Sequence, residues 1–282
     1  MKNNLAMIEK IQLDDKVGII AGGGFLPRQL ISELQKKNIR PYVVALNDVT
    51  DKETTEGVET LWARMGSAGR ILSFFHDNGV KQVALAGWVK RPSFASLIPD
   101  SVGLKLLNKF RKLNEAGDNS VFDLVVQFLE EQGLQIIGVD DIATELLATK
   151  GVMGKVSPVR KFLNDIEYGA KIALEIGKLD IGQAVIVQNG VVLGVEGFDG
   201  TDALIDRCAK LQIDGKGAIL VKMKKQKQDR RIDLPSMGVK TIEKLHELGF
   251  KGVAVQAGNS LIINKEETLK KADELGIFVV GV

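Results

Sequence analysis

The stretch KVGIIAGGGFLP, residues 16–27, reads as a short apolar strand that runs into three consecutive glycines and then a proline. The residues that follow it, up to residue 38, place apolar side chains at helical spacing. A strand, a glycine-rich turn and a helix in this order open many α/β domains. The stretch therefore predicts an α/β fold whose first turn is either a ligand-binding loop or a tight corner.

The remainder of the first half repeats this alternation of strand and helix. Apolar runs at 41–47 and 81–89 enclose the helical pattern GSAGRILSFFHDNG, and two further helical stretches and the short strand LQIIGV follow. Strands that read as continuous apolar runs between helices predict a parallel sheet covered on both faces. Residues 1–138 are therefore predicted to form a Rossmann-like domain.

The three glycines, Gly22, Gly23 and Gly24, have the position at which a parallel sheet binds phosphate groups through backbone N–H groups. The dinucleotide fingerprint places a further glycine three residues after Gly24, where this chain has Pro27. The broken fingerprint argues against a nicotinamide site. A corner without a ligand and a site for part of a nucleotide or phosphate both remain open.

The second half changes its pattern. Residues 139–154 are assigned to a linker region, and residues 155–282 are predicted to form a mixed α+β domain. Asn189 and Gly190 between two apolar runs are a strong hairpin signal, and a second hairpin is predicted within residues 252–263. The predicted fold is thus a Rossmann-like parallel sheet followed by a mixed sheet domain.

Composition excludes several classes of function. A formal charge of +2 over 282 residues gives no general attraction to nucleic acid. One cysteine, Cys208, and two histidines, His76 and His246, exclude a disulfide framework and a histidine-rich zinc site. Charges near the N-terminus and the lack of a long apolar run predict a cytoplasmic protein. Any metal is expected to be bound by oxygen.

Acidic and hydroxyl side chains follow the predicted hairpin. Glu196, Thr201 and Asp202 could hold a divalent cation beside a phosphate. The structural alternative is a capping box, in which Asp199 is the N-cap of the next helix and Asp202 is its N3 residue. Spacing leaves both interpretations open.

A basic run lies further along the chain, between residues 222 and 231, and Asp233 follows it. A solvated, mobile loop is the ordinary interpretation of such a run. Neighbouring arginines would keep Asp233 ionised, which suits Mg²⁺-assisted phosphoryl chemistry. The alternatives are that Asp233 pairs with Arg231 or caps the following helix.

Five stretches taken together resemble a known family: IAGGGFLP (20–27), GKVSP (154–158), IGKLDIGQ (176–183), VEGFDGTDA (195–203) and RIDLPSMGVKT (231–241). They are similar, in this order, to the LpxI-type UDP-2,3-diacylglucosamine pyrophosphatases of lipid A biosynthesis. The resemblance implies a two-domain, Mg²⁺-dependent hydrolase of Gram-negative bacteria. Its products would be UMP and 2,3-diacylglucosamine 1-phosphate.

The resemblance also implies roles for single residues. Asp233 matches the family's catalytic aspartate, as metal ligand or as general base, and Thr201 and Asp202 match a catalytic turn. Glu196 is assigned to the metal. Substrate binding is assigned to the three glycines and to a further set: Lys155, Gln183 and Arg231.

The sequence and the resemblance also give expected binding partners and alternative functions. The substrate is expected to be a lipidated UDP-sugar, with no nucleic acid bound, and a homodimer is left open. The basic run could rest on the anionic surface of the inner membrane. The rival functions are a nucleotide-sugar binding module without turnover and a nicotinamide-dependent oxidoreductase.

Overall fold

The apolar runs of the first half become a parallel sheet. The computed structural model describes residues 11–89, 98–113, 119–226 and 228–282. The described residues divide into two compact units, one that ends at Thr144 and one that begins at Glu145. The helices and strands of the first unit are β1 (Lys16–Ala21), α1 (Leu26–Lys36), β2 (Arg40–Leu46), β3 (Glu59–Ala63), α2 (Ala68–Asp77), β4 (Gln82–Ala86), α3 (Ser101–Leu113), α4 (Asn119–Glu131), β5 (Gln135–Ile136) and α5 (Val139–Ile142).

The described strands of the first unit form one five-stranded sheet in the order β3-β2-β1-β4-β5, and every pairing is parallel. Strands β1, β2 and β4 are almost fully buried, since Val17, Ile19, Val43 and Val83 expose none of their surface. Burial on both faces explains why these strands read as continuous apolar runs. The predicted Rossmann-like sheet is confirmed.

The second unit contains β6 (Gly151–Val152), α6 (Arg160–Lys178), β7 (Ala184–Gln188), β8 (Val191–Val195), α7 (Gly200–Ala209), β9 (Ile219–Lys222), β10 (Ser236–Met237), α8 (Val239–Glu247), β11 (Gly252–Val255), β12 (Leu261–Ile262), α9 (Lys265–Leu275) and β13 (Phe278–Gly281). Short 3-10 helices at Lys52–Thr55, Thr144–Leu146 and Ile213–Gly215 complete the regular structure described.

Six of these strands form a mixed sheet in the order β6-β13-β11-β9-β7-β8. Strands β9, β11 and β13 are parallel, whereas β7 and β6 run antiparallel to their neighbours β9 and β13. One face of the sheet packs on α6, and the other forms a core with residues of α7, α8 and α9. The predicted mixed α+β domain is confirmed.

The hairpin at Asn189 and Gly190 is confirmed, because β7 and β8 pair directly on either side of it. Both turn residues have positive φ angles, 51° and 77°. The buried carboxylate of Asp165 accepts hydrogen bonds from their two N–H groups, at 2.9 and 2.6 Å. The turn is therefore fixed by its own backbone preference and by α6.

The second hairpin prediction, within residues 252–263, is wrong. Strand β12 does not pair with β11 but forms a separate parallel pair with β10, in which Leu261 lies opposite Ser236. Residues 256–260 are held instead by the loop after β9: Gln256 accepts a hydrogen bond from the N–H of Lys224, and Gly258 accepts one from Arg230.

The segment 139–154, assigned above to a linker, contains the division between the two units. Its first part is α5, whose Ile142 carbonyl accepts a hydrogen bond from Lys37 of the first unit. Its last part is β6, which pairs with β13 of the second unit. Each end of the segment thus belongs to the sheet domain beside it.

Candidate active site

Several of the predicted site residues of the second unit lie at one edge of its sheet. Strand β9 ends there at Lys222, and Ala184, the first residue of the antiparallel β7, lies opposite it. Gln183 precedes β7 and Glu196 follows β8, so both lie at this edge as well. Ligands of open α/β sheets bind beyond the carboxyl ends of the parallel strands, which is the edge described here.

Glu196 organises one side of the edge. Its side chain is buried, with 6% exposed, and its carboxylate accepts hydrogen bonds from the N–H of Gln183 at 2.8 Å and from Oγ1 of Thr201 at 2.6 Å. A Cβ on Gly182 would lie 2.2 Å from the carbonyl oxygen of Glu196, so only glycine fits there. The structure thus brings together three of the predicted site residues.

Gln183 presents an acceptor without a described partner. Its Oε1 is buried and receives no hydrogen bond from the residues described. A buried polar atom without a partner is costly and needs a reason. A ligand donor at this edge would supply one, in agreement with the substrate-binding role that the resemblance implies.

Asp202 lies further out. Its side chain is 83% exposed, and Nζ of Lys244 lies 3.9 Å from its carboxylate. Asp199 is the N-cap residue of α7, as the structural alternative requires, but its side chain makes no cap bond, so the capping-box part of that alternative is wrong. Asp199 instead accepts a hydrogen bond from Arg207 at 3.0 Å, which holds the pKa of its carboxyl below the ordinary value.

The loop from 223 to 235, called the basic loop below, is held by its own charges. Nζ of Lys224 donates to two carbonyls of the loop, at 3.2 and 2.6 Å. Lys225 pairs with Asp180 at 2.8 Å, and Arg231 pairs with Asp229 at 2.6 Å. Lys224, Lys225 and Arg231 have protein partners, so the description as a solvated run does not fit them.

Asp233 lies in the basic loop, close to three lysines. Its carboxylate accepts a hydrogen bond from Nε2 of Gln228. The residue as a whole is exposed to solvent, yet protein atoms surround its carboxyl closely enough that burial raises its pKa. The charge of Lys225, the bond from Gln228 and the charges of Lys222 and Lys224 oppose that rise. Asp233 therefore has solvent-exposed surface, although neighbouring protein atoms crowd its carboxyl.

The expectation that arginines would keep Asp233 ionised is wrong. Arg231 donates from Nε and from the terminal nitrogen to Asp229, and this pairing lowers the pKa of Asp229. The positive charge near Asp233 comes from lysines, and burial outweighs it. Asp233 does not cap α8 either, because Gly238 is the N-cap residue of that helix.

Lys222 is a site residue that sequence reasoning placed only within a basic run. It is the last residue of β9, its side chain is 6% exposed, and Nζ donates to the carbonyl oxygen of Ser236 at 3.2 Å. Burial lowers its pKa, and the charges of Glu196, Asp233 and Asp202 oppose that shift. The sequence signal was its position, directly after the apolar run AILV.

Lys155 lies elsewhere. Its backbone N–H donates to Asp273, near the end of α9, and Met153 bonds to Val279 close to the start of β13. Residues 153–155 therefore run toward the amino ends of the parallel strands. Lys155 is thus at the opposite edge of the sheet from Lys222 and Asp233.

The three glycines belong to the first unit and form a tight corner there. Gly22 donates its N–H to Ala86 at 2.7 Å and Gly23 donates to Trp88 at 2.9 Å. A Cβ on Gly22 would lie 2.5 Å from the carbonyl oxygen of Trp88, and one on Gly23 would lie 2.6 Å from its indole. Close approach to the loop after β4 explains the first two glycines, and a positive φ of 89° explains Gly24.

The second unit can offer one well-placed carboxylate to a magnesium ion. Within the described ranges, no group of three or more His, Cys, Asp and Glu side chains is arranged to hold a metal. Both oxygens of Glu196 already accept hydrogen bonds, whereas Asp233 reaches water. Mg²⁺ usually binds through one or two carboxylates together with substrate phosphates. Asp233 fits that arrangement better than Glu196 does.

A carboxylate among lysines, at the carboxyl edge of an α/β sheet, is typical of proteins that bind or act on phosphorylated ligands. Family comparison agrees: the LpxI N-terminal domain model matches residues 16–146 and the LpxI C-terminal domain model matches residues 149–280. The chain belongs to the LpxI family, and the resemblance found from its motifs is confirmed.

A curated relative supports the same assignment. It is the UDP-2,3-diacylglucosamine pyrophosphatase LpxI of Caulobacter vibrioides (strain ATCC 19089 / CIP 103742 / CB 15). It is 36% identical to this chain over 275 residues, which are 95% of this chain and 97% of the relative. The similarity therefore includes both units.

Comparison with solved structures adds little. The biotin carboxylase domain of Hydrogenobacter thermophilus 2-oxoglutarate carboxylase has a TM-score of 0.24 and 14% identity, over 64% of this chain and 36% of that one. The N5-carboxyaminoimidazole ribonucleotide synthetase of Thermotoga maritima has a TM-score of 0.22 and 15% identity, over 64% and 41%. Neither similarity supports a functional argument.

In the part of the chain that the structure describes, no helix has the length and apolarity needed to span a membrane.

Proposed function

We propose that the protein hydrolyses the diphosphate bond of UDP-2,3-diacylglucosamine, with release of UMP and 2,3-diacylglucosamine 1-phosphate. Family membership and the substrate named for the Caulobacter vibrioides relative support the substrate class. The observation that carries the proposal is the position of Asp233: a carboxylate open to water, among three lysines, at the ligand-binding edge of the second sheet.

Hydrolysis of a phosphoanhydride requires that negative charge be neutralised and that water be aligned with phosphorus. The carboxylate of Asp233 accepts a hydrogen bond from the attacking water and directs its oxygen toward the phosphorus nearer the sugar. The new P–O bond forms as the bond to the bridging oxygen breaks. UMP leaves with the electron pair, and the proton of the water passes to solvent.

Gln228 and Glu196 keep this arrangement in place. The amide of Gln228 is buried and donates to Asp233, so the carboxylate has one fixed orientation. Glu196 fixes the N-terminus of α7 through Thr201 and the start of β7 through Gln183. Mg²⁺, held by Asp233 together with the diphosphate oxygens, would supply the charge that stabilises the departing phosphate.

The lipid part of the substrate needs apolar surface near the diphosphate. Phe198 lies two residues after Glu196 and its side chain is 90% exposed, which is unusual for a phenylalanine. An acyl chain that covers Phe198 would remove this ring from water. We assign Phe198 to contact with the lipid, at the border of the site.

The deciding experiment incubates the purified protein with UDP-2,3-diacylglucosamine and Mg²⁺ and follows UMP by chromatography. We expect UMP and the lipid phosphate in equal amounts, and in ¹⁸O-labelled water the label in the lipid phosphate. Label in UMP would contradict the proposed point of attack. Tight binding of the substrate without UMP release would favour the binding module instead.

A further inference from the structure

The buried ammonium of Lys222 has fewer partners than donors. An ammonium carries three N–H donors, and the bond described for Nζ is the one to the carbonyl of Ser236. The charges of Glu196, Asp233 and Asp202 favour the ammonium form of Lys222, but among the described residues none of these carboxylates forms an ion pair with it. A buried charge without a direct counter-ion is expensive to maintain. Its presence therefore calls for an anionic partner that is not a side chain of the described chain.

The position of Lys222 directs its side chain to the site edge. Alternate residues of a strand share a face, and Leu220 packs in the core with α7 and α8, whereas Val221 packs against α6. Lys222 therefore continues the face of Leu220, just where β9 ends. Its ammonium bonds to the carbonyl oxygen of Ser236, the first residue of β10, directly after the basic loop.

The neighbouring lysines Lys224 and Lys225 have more described protein partners than Lys222 has. Lys224 donates to two loop carbonyls, and Lys225 forms an ion pair with Asp180. Lys155, which the resemblance implied for substrate binding, lies at the opposite edge of the sheet. With respect to the described residues, Lys222 combines burial, donors beyond its one bond to Ser236, and proximity to Asp233.

We propose that Nζ of Lys222 donates hydrogen bonds to a phosphoryl oxygen of the diphosphate, so that Lys222 is a side chain through which the protein itself binds this group. The identity of the substrate rests on the proposed function, but recognition of a diphosphate does not. Attraction in a buried position is stronger than at the surface, because little water screens it. Lys222 thereby offsets the repulsion that Asp233 and Glu196 exert on an incoming diphosphate.

The test measures binding of inorganic pyrophosphate, without metal, by isothermal titration calorimetry on the full chain. It compares the wild type with Lys222→Met, Lys155→Met and the control Lys171→Met, whose lysine lies on the exposed face of α6. We expect affinity to fall by about 10-fold or more in Lys222→Met, since a charge-assisted bond is lost. Lys171→Met should bind as the wild type does. Thermal unfolding of Lys222→Met should occur at the same or a higher temperature, because methionine has no charge to desolvate.

A folded Lys222→Met protein that binds pyrophosphate as tightly as the wild type overturns the proposal. So does a loss of affinity in Lys155→Met that exceeds the loss in Lys222→Met. If circular dichroism shows that Lys222→Met is unfolded, Lys222→Gln takes its place in the titration. If neither variant folds, Lys222 is a structural residue, and the proposal is overturned as well. Failure of the proposed function looks different: pyrophosphate binds through Lys222, but the wild type releases no UMP from UDP-2,3-diacylglucosamine with Mg²⁺.

Discussion

Arg231 donates two hydrogen bonds to the carboxylate of Asp229, two residues earlier, from Nε at 3.1 Å and from a terminal nitrogen at 2.6 Å. The arginine that the motif places next to Asp233 thus neutralises a different acid. Gln228, a neutral residue, is the hydrogen-bond donor to Asp233. One short loop therefore shifts the pKa values of its two aspartates in opposite directions, upward for Asp233 by burial and downward for Asp229 by the hydrogen bond from Arg231.

Asp233→Asn should abolish turnover without loss of stability. Burial raises the pKa of Asp233 above its value in the unfolded chain, so its ionisation destabilises the folded state once the pH exceeds the unfolded value. The amide removes that cost and keeps the shape. We expect kcat to fall by about 100-fold or more, with an unfolding temperature at pH 7 equal to or above that of the wild type. Below both pKa values the two proteins should unfold alike. A clear loss of stability at pH 7 would mean that Asp233 is a structural residue.

Asp229→Asn, the matched variant in the same loop, should behave in the opposite way. Its pKa is lowered chiefly by the hydrogen bond from Arg231, so the ion pair stabilises the fold above the unfolded pKa and loses that effect as pH falls through the folded value. The pair is partly exposed, so the variant should lose about 1 kcal/mol at pH 7. Urea unfolding at pH 7 and at pH 3 measures this. An equal loss at both pH values would contradict the ion-pair explanation.

Much of this architecture could be predicted from the sequence because its signals are local. Buried parallel strands read as apolar runs, and Asn189-Gly190 specifies its turn by backbone preference. The motif around Asp233 marked the residue, but its partners could not be assigned, since Arg231, two residues away, looks the nearer donor, whereas Gln228, five residues away, makes the bond. Local pattern could not identify the acid that each one reaches.

The errors concern contacts between distant segments. The pairing of β10 with β12 joins residues 25 positions apart through two-residue strands that are too short for a pattern of their own. Lys155 and Lys222 look equally basic in sequence, yet strand direction places them at opposite edges. Lys222 is buried because the sheet and the basic loop enclose it together. No local pattern in the sequence shows that these two segments meet.

Thr201→Val should lower both stability and kcat. The variant keeps the side-chain shape but removes the 2.6 Å hydrogen bond to the buried carboxylate of Glu196. Loss of a donor to a buried charge costs about 1–3 kcal/mol, and a displaced Glu196 would disturb the edge. Thr201→Ser retains the hydroxyl and should restore both properties. Chemical denaturation and steady-state kinetics measure them. A lower kcat in Thr201→Val without any loss of stability would instead indicate that Thr201 contacts the substrate directly.

Phe198→Ala should weaken binding of the acylated substrate alone. The ring is 90% exposed, so its removal leaves the fold intact, whereas covering it with an acyl chain would contribute about 1–2 kcal/mol. We expect KM for the diacylated substrate to rise by about 10-fold with kcat nearly unchanged. Leu211→Ala, which alters another exposed apolar residue, is the control. Equal KM values for Phe198→Ala and the wild type would remove Phe198 from the lipid site.

Gly22→Ala and Gly23→Ala test whether the glycine corner is structural. A Cβ on Gly22 would meet backbone, the carbonyl oxygen of Trp88 at 2.5 Å and a carbon of Gly87 at 3.0 Å, which cannot move without displacing the loop after β4. A Cβ on Gly23 would meet the indole of Trp88, which is 55% exposed and can swing outward.

We therefore expect Gly22→Ala to cost about 1–3 kcal/mol of unfolding free energy and Gly23→Ala to cost less. In the double variant Gly23→Ala/Trp88→Ala, the clash is absent, so its stability should equal that of Trp88→Ala. Urea unfolding of the full chain, followed by circular dichroism, measures all four proteins. If the glycine turn instead bound a phosphate group, both single variants would keep wild-type stability and lose affinity for UMP. That result would contradict the structural explanation. Since the N–H groups of Gly22 and Gly23 are already bonded to Ala86 and Trp88, stability is the property that should change.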